Sequence, residues 1–185
     1  MDNEKNEIME RKITKISVFD FDGTLVNTEL PETGKPRWKE VKGTDWPHRG
    51  WWGKAESLDL EIFENAVIEH VVEDYKKEKN GPENLVVMLT GRMVALSLDV
   101  EKILDKHGLD FDRKYYNTGG DTITCKKKKI EELLREFPYV EVVEVWDDRL
   151  EHIPHFEQLG ETLVKSGRLK EFKVNHVIPL GGLRH

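Results

Sequence analysis

The 185 residues suffice for one domain with one core, and 35% of them are charged, which predicts a well-solvated surface. Asp and Glu outnumber Lys and Arg by 36 to 29, and the formal net charge of −7 argues against a generic nucleic-acid coat protein. The single cysteine, Cys125, excludes an internal disulfide and a thiolate metal cluster. The sequence contains no apolar run of about 18 residues, so we expect no membrane partner.

Apolar periodicity predicts alternating strands and helices after a polar tail at 1–12, which lacks the apolar segment of a signal peptide. We therefore expect a cytoplasmic, non-secreted protein. Strands are predicted at 13–19, 85–89, 113–116, 140–146 and 172–178, and helices at 58–79, 93–107, 126–137 and 151–165. This alternation predicts a single α/β domain over 13–185, with a three-layer, Rossmann-like parallel sheet between helices.

Residues 26–57 depart from this alternation. They contain three prolines and four of the five tryptophans, and they are predicted to be loop-like. With the following helix they form a small Trp-rich insertion at about 26–81. The tryptophans are predicted to form a small core, or Trp51 and Trp52 to stack on a nucleobase.

The carboxyl ends of the strands carry the chemically informative residues, and in such sheets the ligand binds there. Three predicted strands end in Asp20-Phe21-Asp22-Gly23-Thr24, Thr90-Gly91-Arg92 and Asp147-Asp148-Arg149. Four carboxylates brought together repel, and a hard divalent cation such as Mg²⁺ offsets that repulsion. In an Asp-x-Asp pair, one carboxylate can attack phosphorus while the other protonates the leaving oxygen. The alternative for the last pair is a helix N-cap.

The other polar residues at these strand ends suit phosphate binding. The Thr90 hydroxyl and the Gly91 amide can donate to phosphoryl oxygens. Thr90 can alternatively cap the next helix. Arg92 and Arg149 are bidentate phosphate partners by type, and each can equally pair with an acidic neighbour.

Residues 18–25, Val-Phe-Asp-Phe-Asp-Gly-Thr-Leu, resemble the first motif of the haloacid dehalogenase (HAD) superfamily. Thr90 is similar to its second motif and the Asp147-Asp148 pair to its fourth. The resemblance implies a HAD-like fold and a phosphatase with Asp20 as nucleophile. It also implies that the insertion at about 26–81 stands in place of a full cap domain, for which it is too small, so the mouth of the site should be open.

The same resemblance implies that Asp22 is the general acid and base. It further implies Mg²⁺ held by Asp20, the Asp22 carbonyl and Asp147, with Asp148 assisting. The lysine of the third motif is ambiguous, because four consecutive residues compete for the role: Lys126, Lys127, Lys128 and Lys129.

A narrower resemblance is to the Swiss-army-knife RNA repair-like branch of the superfamily. The segments that carry it are Gly50-Trp51-Trp52-Gly53, Leu89-Thr90-Gly91-Arg92, Thr122 with Cys125-Lys126, and Asp147-Asp148-Arg149 with His152 and Phe156. Aligning that branch selects Lys126 as the phosphate lysine, although Cys125 replaces its usual aromatic residue. The Asp-Asp-Arg and Thr-Gly-Arg segments are also similar to the phosphatase domain of phage polynucleotide kinase-phosphatase.

This narrower resemblance implies that the substrate is a phosphorylated nucleic-acid end. The carboxylate nucleophile would itself form an aspartyl-phosphate, which divides one hard displacement into two easier ones. Basic residues in 26–57 and the lysines at 126–129 are predicted to form a local positive rim on an acidic protein. One alternative is a small-molecule phosphatase such as a nucleotidase. Another is a non-catalytic phosphate-binding module, against which Asp22 counts because binding alone needs no acid.

Overall fold

The computed structural model describes residues 7–8 and 11–178. Most of the predicted tail at 1–12 therefore lies outside the described residues, as do residues 179–185. None of the helices within the described part of the chain is long and apolar enough to cross a membrane.

In the part of the chain that the structure describes, seven strands form two sheets, and the larger sheet is parallel. The strands are β1 (Lys15–Phe19), β2 (Val26–Asn27), β3 (Ala66–Val67), β4 (Asn84–Met93), β5 (Arg113–Asn117), β6 (Val142–Asp147) and β7 (Glu171–His176). The five-stranded sheet has the order β5-β4-β1-β6-β7, while β2 and β3 pair with each other. The predicted parallel α/β sheet is thus confirmed, and each of its strands begins and ends within a few residues of the prediction.

Within residues 11–178, five α-helices accompany the strands: α1 (Pro31–Lys42), α2 (Glu69–Lys79), α3 (Ser97–Lys106), α4 (Thr122–Glu136) and α5 (Ile153–Lys165). Buried residues of α2 and α3 pack on one face of the large sheet. Those of α4 and α5 pack on the other face. Apolar residues on both faces are removed from water, which produces the predicted three layers.

The register of the central strands places the acidic segments together. Phe19, the last residue of β1, lies opposite Met88 on β4 and Trp146 on β6. Its ring stacks on Trp146 with 4.2 Å between ring centroids. One residue further, the Asp20 N–H donates to the Trp146 carbonyl at 3.0 Å. The carboxyl ends of β1 and β6 therefore finish side by side.

The prediction of a loop-like segment over 26–57 is wrong, because α1 occupies its first half. Pro31 lies at the start of this helix, where a missing N–H costs nothing, and Gly43 ends it with φ of 75°. The prolines that suggested a loop are tolerated, although Pro36 lies inside the helix.

The predicted helix at 58–79 begins only at Glu69. The apolar residues before it have another use: Ile62 and Phe63 are buried with Trp51 in a separate cluster. Residues 66–67 form β3 against β2. The apolar residues at helical spacing over 58–68 are therefore buried in two different environments and do not form a helix.

The aromatic cluster consists of Trp38, Trp46, Trp51, Ile62 and Phe63. The rings of Trp46 and Trp51 lie 4.6 Å apart between centroids, and the Trp51 indole N–H donates to the Glu29 carbonyl at 2.9 Å. A Cβ added at Gly34 would overlap the Trp51 ring, so α1 approaches that ring closely. The small core predicted for the tryptophans is present.

Candidate active site

A cavity of about 320 Å³ opens at the carboxyl ends of β1, β4 and β6. All three predicted motif segments contribute to its wall. The lining residues are Asp20, Asp22, Leu30, Trp52, Gly53, Gly91, Arg92, Met93, Thr122, Lys126, Asp148 and Arg149. Of the four candidate lysines, Lys126 is the one that lines this cavity.

Lys126 lies between two buried carboxylates. Its Nζ is 3.0 Å from Asp20 Oδ1 and 2.7 Å from Asp147 Oδ2. Burial raises the pKa of Asp20 to about 6, with further increase from the charges of Asp147 and Asp22, although Lys126 acts in the opposite direction. Burial alone would lower the pKa of Lys126, but its two carboxylate partners outweigh that effect and raise it. The ammonium is therefore charged at neutral pH.

Asp147 ends β6 and is almost fully buried. Burial would raise its pKa, but Lys126 and the Arg149 N–H, which donates to Asp147 Oδ1 at 2.9 Å, hold that pKa well below its usual range. His152 is also buried here, and its Nδ1 lies 3.8 Å from Asp147 Oδ1, beyond hydrogen-bond length. His155 is exposed.

The donor set fits a hard divalent cation. Asp20, Asp147 and Asp148 each offer a carboxylate oxygen, and these oxygens all lie within 4.8 Å of one another. All three side chains are buried, so their mutual repulsion is weakly screened. An all-oxygen, acidic set of this kind is what Mg²⁺ takes in proteins. The Asp22 carboxylate lies outside this group.

Asp22 is instead held by a cation and a hydroxyl. Arg92 Nη2 donates to Asp22 Oδ1 at 2.7 Å and Arg92 Nε donates to Oδ2 at 3.0 Å, while the Thr28 hydroxyl donates to Oδ1 at 2.7 Å. Gly23 has φ of 70°, a conformation that favours glycine, and its N–H donates to the Val26 carbonyl. Asp22, held next to this turn, lines the cavity.

Arg92 joins the segment that follows Trp51 of the aromatic cluster to the carboxyl edge of the sheet. Although it belongs to β4, its Nη1 donates to the Trp52 carbonyl at 2.6 Å and to the Ser57 hydroxyl at 2.9 Å. Its guanidinium lies 5.1 Å from the centroid of the Trp52 ring. Of the two roles predicted for Arg92, the pairing with an acidic neighbour is the one present.

The two adjacent tryptophans have different environments. Trp51 is buried in the aromatic cluster and does not line the cavity, so its predicted stacking on a base is wrong. Its ring fills the space beside Gly34. Trp52 is 40% exposed and lines the cavity. Arg149, which also lines the cavity, pairs with Glu151 at 2.8 Å.

Thr90 and Gly91 lie within β4, which continues through the second motif instead of ending before it. The Thr90 hydroxyl accepts the Arg92 N–H at 3.1 Å, and Thr90 lines a neighbouring cleft instead of the cavity itself. A Cβ at Gly91 would lie 2.7 Å from Thr122 Cγ2. Close packing of β4 against the start of α4 thus requires glycine there.

Two threonines that contact the carboxylates of the site were not predicted as site residues from the sequence. Thr28 donates to Asp22, and the Thr24 hydroxyl lies 3.5 Å from Asp148 Oδ1. Thr24 is part of the first motif and could have been inferred from it. Thr28 carries no such signal, because its position depends on the pairing of β2 with β3 far along the chain.

Residues 38–181, more than half of the chain, match the family model described as HAD domain family 1 in Swiss Army Knife RNA repair proteins. The Asp20 segment precedes the matched range. An uncharacterized protein of Saccharomyces cerevisiae is 26% identical over 188 residues, which cover 85% of this chain and 39% of that protein.

Two solved structures share the fold. A chain of the Pnkp1/Rnl/Hen1 complex is similar with a TM-score of 0.52 and 21% identity, over 89% of this chain and 45% of that one. The HAD domain of the effector protein Lem4 from Legionella pneumophila gives a TM-score of 0.54 at 17% identity, over 91% and 88%. This chain spans less than half of the yeast protein and of the Pnkp1/Rnl/Hen1 chain. It belongs to HAD domain family 1 of Swiss Army Knife RNA repair proteins.

Proposed function

We propose that this chain is a phosphatase that removes a phosphate from a nucleic-acid end, with Mg²⁺ as its cofactor and a phosphoryl group carried on Asp20. The observation that supports the chemistry most is the pairing of Asp20 with Lys126 at 3.0 Å, beside the cavity that Asp22 also lines. A nucleophile, a cation for phosphoryl oxygens and a proton carrier thus face one space.

In the first step, an Asp20 carboxylate oxygen attacks phosphorus, the bond from phosphorus to the leaving oxygen breaks, and Asp22 gives that oxygen its proton. In the second step, Asp22 takes a proton from a water molecule whose oxygen attacks the same phosphorus. The bond to Asp20 then breaks and inorganic phosphate leaves. Arg92 and Thr28 keep Asp22 oriented through both transfers, while Lys126 stabilises negative charge on the phosphoryl oxygens.

Asp20, Asp147 and Asp148 would hold Mg²⁺, with the Asp22 carbonyl as a further ligand. When bound, the ion offsets repulsion between the Asp20 carboxylate and the phosphate. We assign Thr90 and Gly91 to the phosphoryl oxygens, and Arg149 and Trp52 to the rest of the substrate.

Three observations support a nucleic-acid end as the substrate. The family model is described by its occurrence in RNA repair proteins, and a chain of similar fold belongs to the Pnkp1/Rnl/Hen1 complex. Trp52 presents an exposed aromatic surface at the cavity, where a base next to the scissile phosphate can stack. We also propose that residues 26–81 replace a cap domain and that the protein is cytoplasmic.

The test is phosphate release from matched oligonucleotides that carry a 3′-phosphate, a 5′-phosphate or a 2′,3′-cyclic phosphate, each with Mg²⁺ and with chelator. We expect Mg²⁺-dependent release with a strong preference for one end. Mononucleotides, a phosphopeptide and an aryl phosphate serve as comparison substrates.

Faster hydrolysis of mononucleotides than of every oligonucleotide would support a nucleotidase and contradict the nucleic-acid proposal. Tight phosphate binding without turnover of any substrate would instead indicate a non-catalytic binding module and contradict the proposed chemistry as well.

Replacing Trp52 with alanine should reduce kcat/KM for the preferred oligonucleotide about tenfold or more, because stacking one base is worth roughly 1–3 kcal/mol. Trp52→Phe should retain most of the activity, since it keeps an aromatic face. Aryl phosphate hydrolysis reports on the catalytic residues in both variants. Val41→Ala, on the exposed side of α1, is the matched control. An unchanged kcat/KM in Trp52→Ala would exclude stacking.

A further inference from the structure

A second cleft, of about 370 Å³, adjoins the catalytic cavity on the side of β5 and α4. It is separate from the aromatic cluster and from the Trp52 wall. Lys126 lines both spaces, and Thr90 lines the cleft. We call it the lysine cleft after three further residues of its wall: Lys114, Lys128 and Lys129.

An irregularity in the sheet accompanies the lysine cleft. Leu89 on β4 pairs with Tyr115 on β5, but the next pair is Met93 with Asn117, so four residues of β4 advance against two of β5. The extra residues are those of the second motif. Bulges of this kind bend a strand and end regular pairing beside active sites. Here the bulge places the cleft directly beside the proposed phosphate contacts.

The cleft carries positive charge on a chain whose net charge is −7. Lys128 is exposed. Lys129 pairs with Glu132 at 2.8 Å and its Nζ lies 4.5 Å from the centroid of the Tyr115 ring. Lys114 pairs with Glu101 at 3.0 Å.

Both of these ion pairs are partly exposed, and pairs of this type contribute at most about 1 kcal/mol. Their lysines can therefore exchange a glutamate for a phosphate at little cost. Proteins that bind single-stranded nucleic acids combine aromatic rings with flexible cations along the sugar-phosphate backbone. The half-buried aromatic ring beside the lysines of this cleft matches that combination.

We propose that the lysine cleft binds the phosphodiester backbone of the nucleic-acid strand beyond the nucleotide that carries the scissile phosphate. This inference rests on the proposed function and extends it, because it assigns the path of the strand away from the cavity. The contacts are to phosphates, so they contribute affinity for any sequence and no preference among bases.

The test compares Lys128→Glu/Lys129→Glu with the wild-type protein on end-phosphorylated oligonucleotides of one to six nucleotides. In the wild type, kcat/KM should rise with length over the first few nucleotides. In the variant, that rise should shrink at least about tenfold, and the slope of log kcat/KM against log salt should fall by about 1 to 2. Aryl phosphate turnover should not change.

The matched control is Lys76→Glu/Lys77→Glu, which makes the same charge change in the last turn of α2, next to the amino end of β4. An equal loss in this control would show a general charge effect and overturn the assignment. The assignment would also be overturned if Lys128→Glu/Lys129→Glu kept the wild-type dependence of kcat/KM on oligonucleotide length, or if it lost as much activity on aryl phosphate as on oligonucleotides. Lysine-dependent hydrolysis of an acidic phosphopeptide in place of oligonucleotides would overturn both this inference and the proposed substrate.

Discussion

Asp20→Asn should abolish turnover, with kcat falling by roughly 10⁴-fold or more, while the protein still folds and binds substrate. The amide cannot form the acyl phosphate, yet it keeps the shape of the side chain, and its oxygen can still accept from Lys126. The measurement is phosphate release under saturating substrate, with substrate binding followed separately by Trp fluorescence. Turnover near the wild-type rate would exclude Asp20 as the nucleophile.

The same substitution should stabilise the protein in the presence of chelator above pH 6. Burial raises the pKa of Asp20 from 3.8 to about 6 in the folded state, so the folded state holds its proton more tightly than the unfolded chain does. Stability is therefore lost as the pH rises from about 4 through about 6. The substitution Asp20→Asn removes this pH-dependent loss in the free energy of unfolding, which amounts to roughly 2–3 kcal/mol.

Thermal unfolding of the wild type and of Asp20→Asn at several pH values checks the expected direction of the stability difference. The difference in Tm should be small near pH 4, grow up to about pH 6 and stay level above it. A difference that shrinks with rising pH would contradict the assigned cause of the pKa shift, which is burial of the carboxylate.

Lys126→Met should destabilise the metal-free protein by about 3–5 kcal/mol, because it leaves the buried carboxylates of Asp20 and Asp147 without their shared cation. Mg²⁺ should restore much of that stability, since the ion supplies positive charge to the same oxygens. The gain in Tm on adding Mg²⁺ should thus be larger for the variant than for the wild type. Turnover should remain low even with Mg²⁺ bound.

Lys165→Met is the control, because Lys165 forms an exposed pair with Glu161 and its loss should change stability by less than about 0.5 kcal/mol. If Lys126→Met unfolds during purification, preparing that variant in Mg²⁺ and following its chemical denaturation with and without chelator provides the same comparison. Equal Mg²⁺ stabilisation of wild type and variant would contradict a metal site at Asp20, Asp147 and Asp148.

Those features that depend on local pattern could be predicted from sequence. Apolar runs identified β1, β4 and β6, and parallel pairing then required their carboxyl ends to meet, so Asp20 and Asp147 were expected together. The choice of Lys126 among the candidate lysines required more than the sequence pattern. Four consecutive lysines look alike in sequence, and it is the phase of α4 that buries Lys126 and leaves Lys128 exposed.

The environment of Asp22 could not be predicted, because its charged partner comes from a distant part of the chain. Arg92 is 70 residues away, and it is fixed by the Trp52 carbonyl and the Ser57 hydroxyl. Trp51 and Trp52 are adjacent and chemically identical in sequence. Close packing against Gly34 determines which of the two rings is buried. That packing depends on α1, a helix that was not predicted because its prolines suggested a loop.

The contacts of Arg92 imply that activity and global folding have different thermal limits. The aromatic cluster has its own small core, and the residue that follows its Trp51, Trp52, accepts from this guanidinium through its carbonyl. Local opening of a small cluster requires less free energy than unfolding of the central sheet. Such an opening would withdraw the carbonyl and hydroxyl that fix Arg92 and would leave Asp22 poorly oriented. On heating, the enzyme should therefore stop turning over while its sheet is still intact.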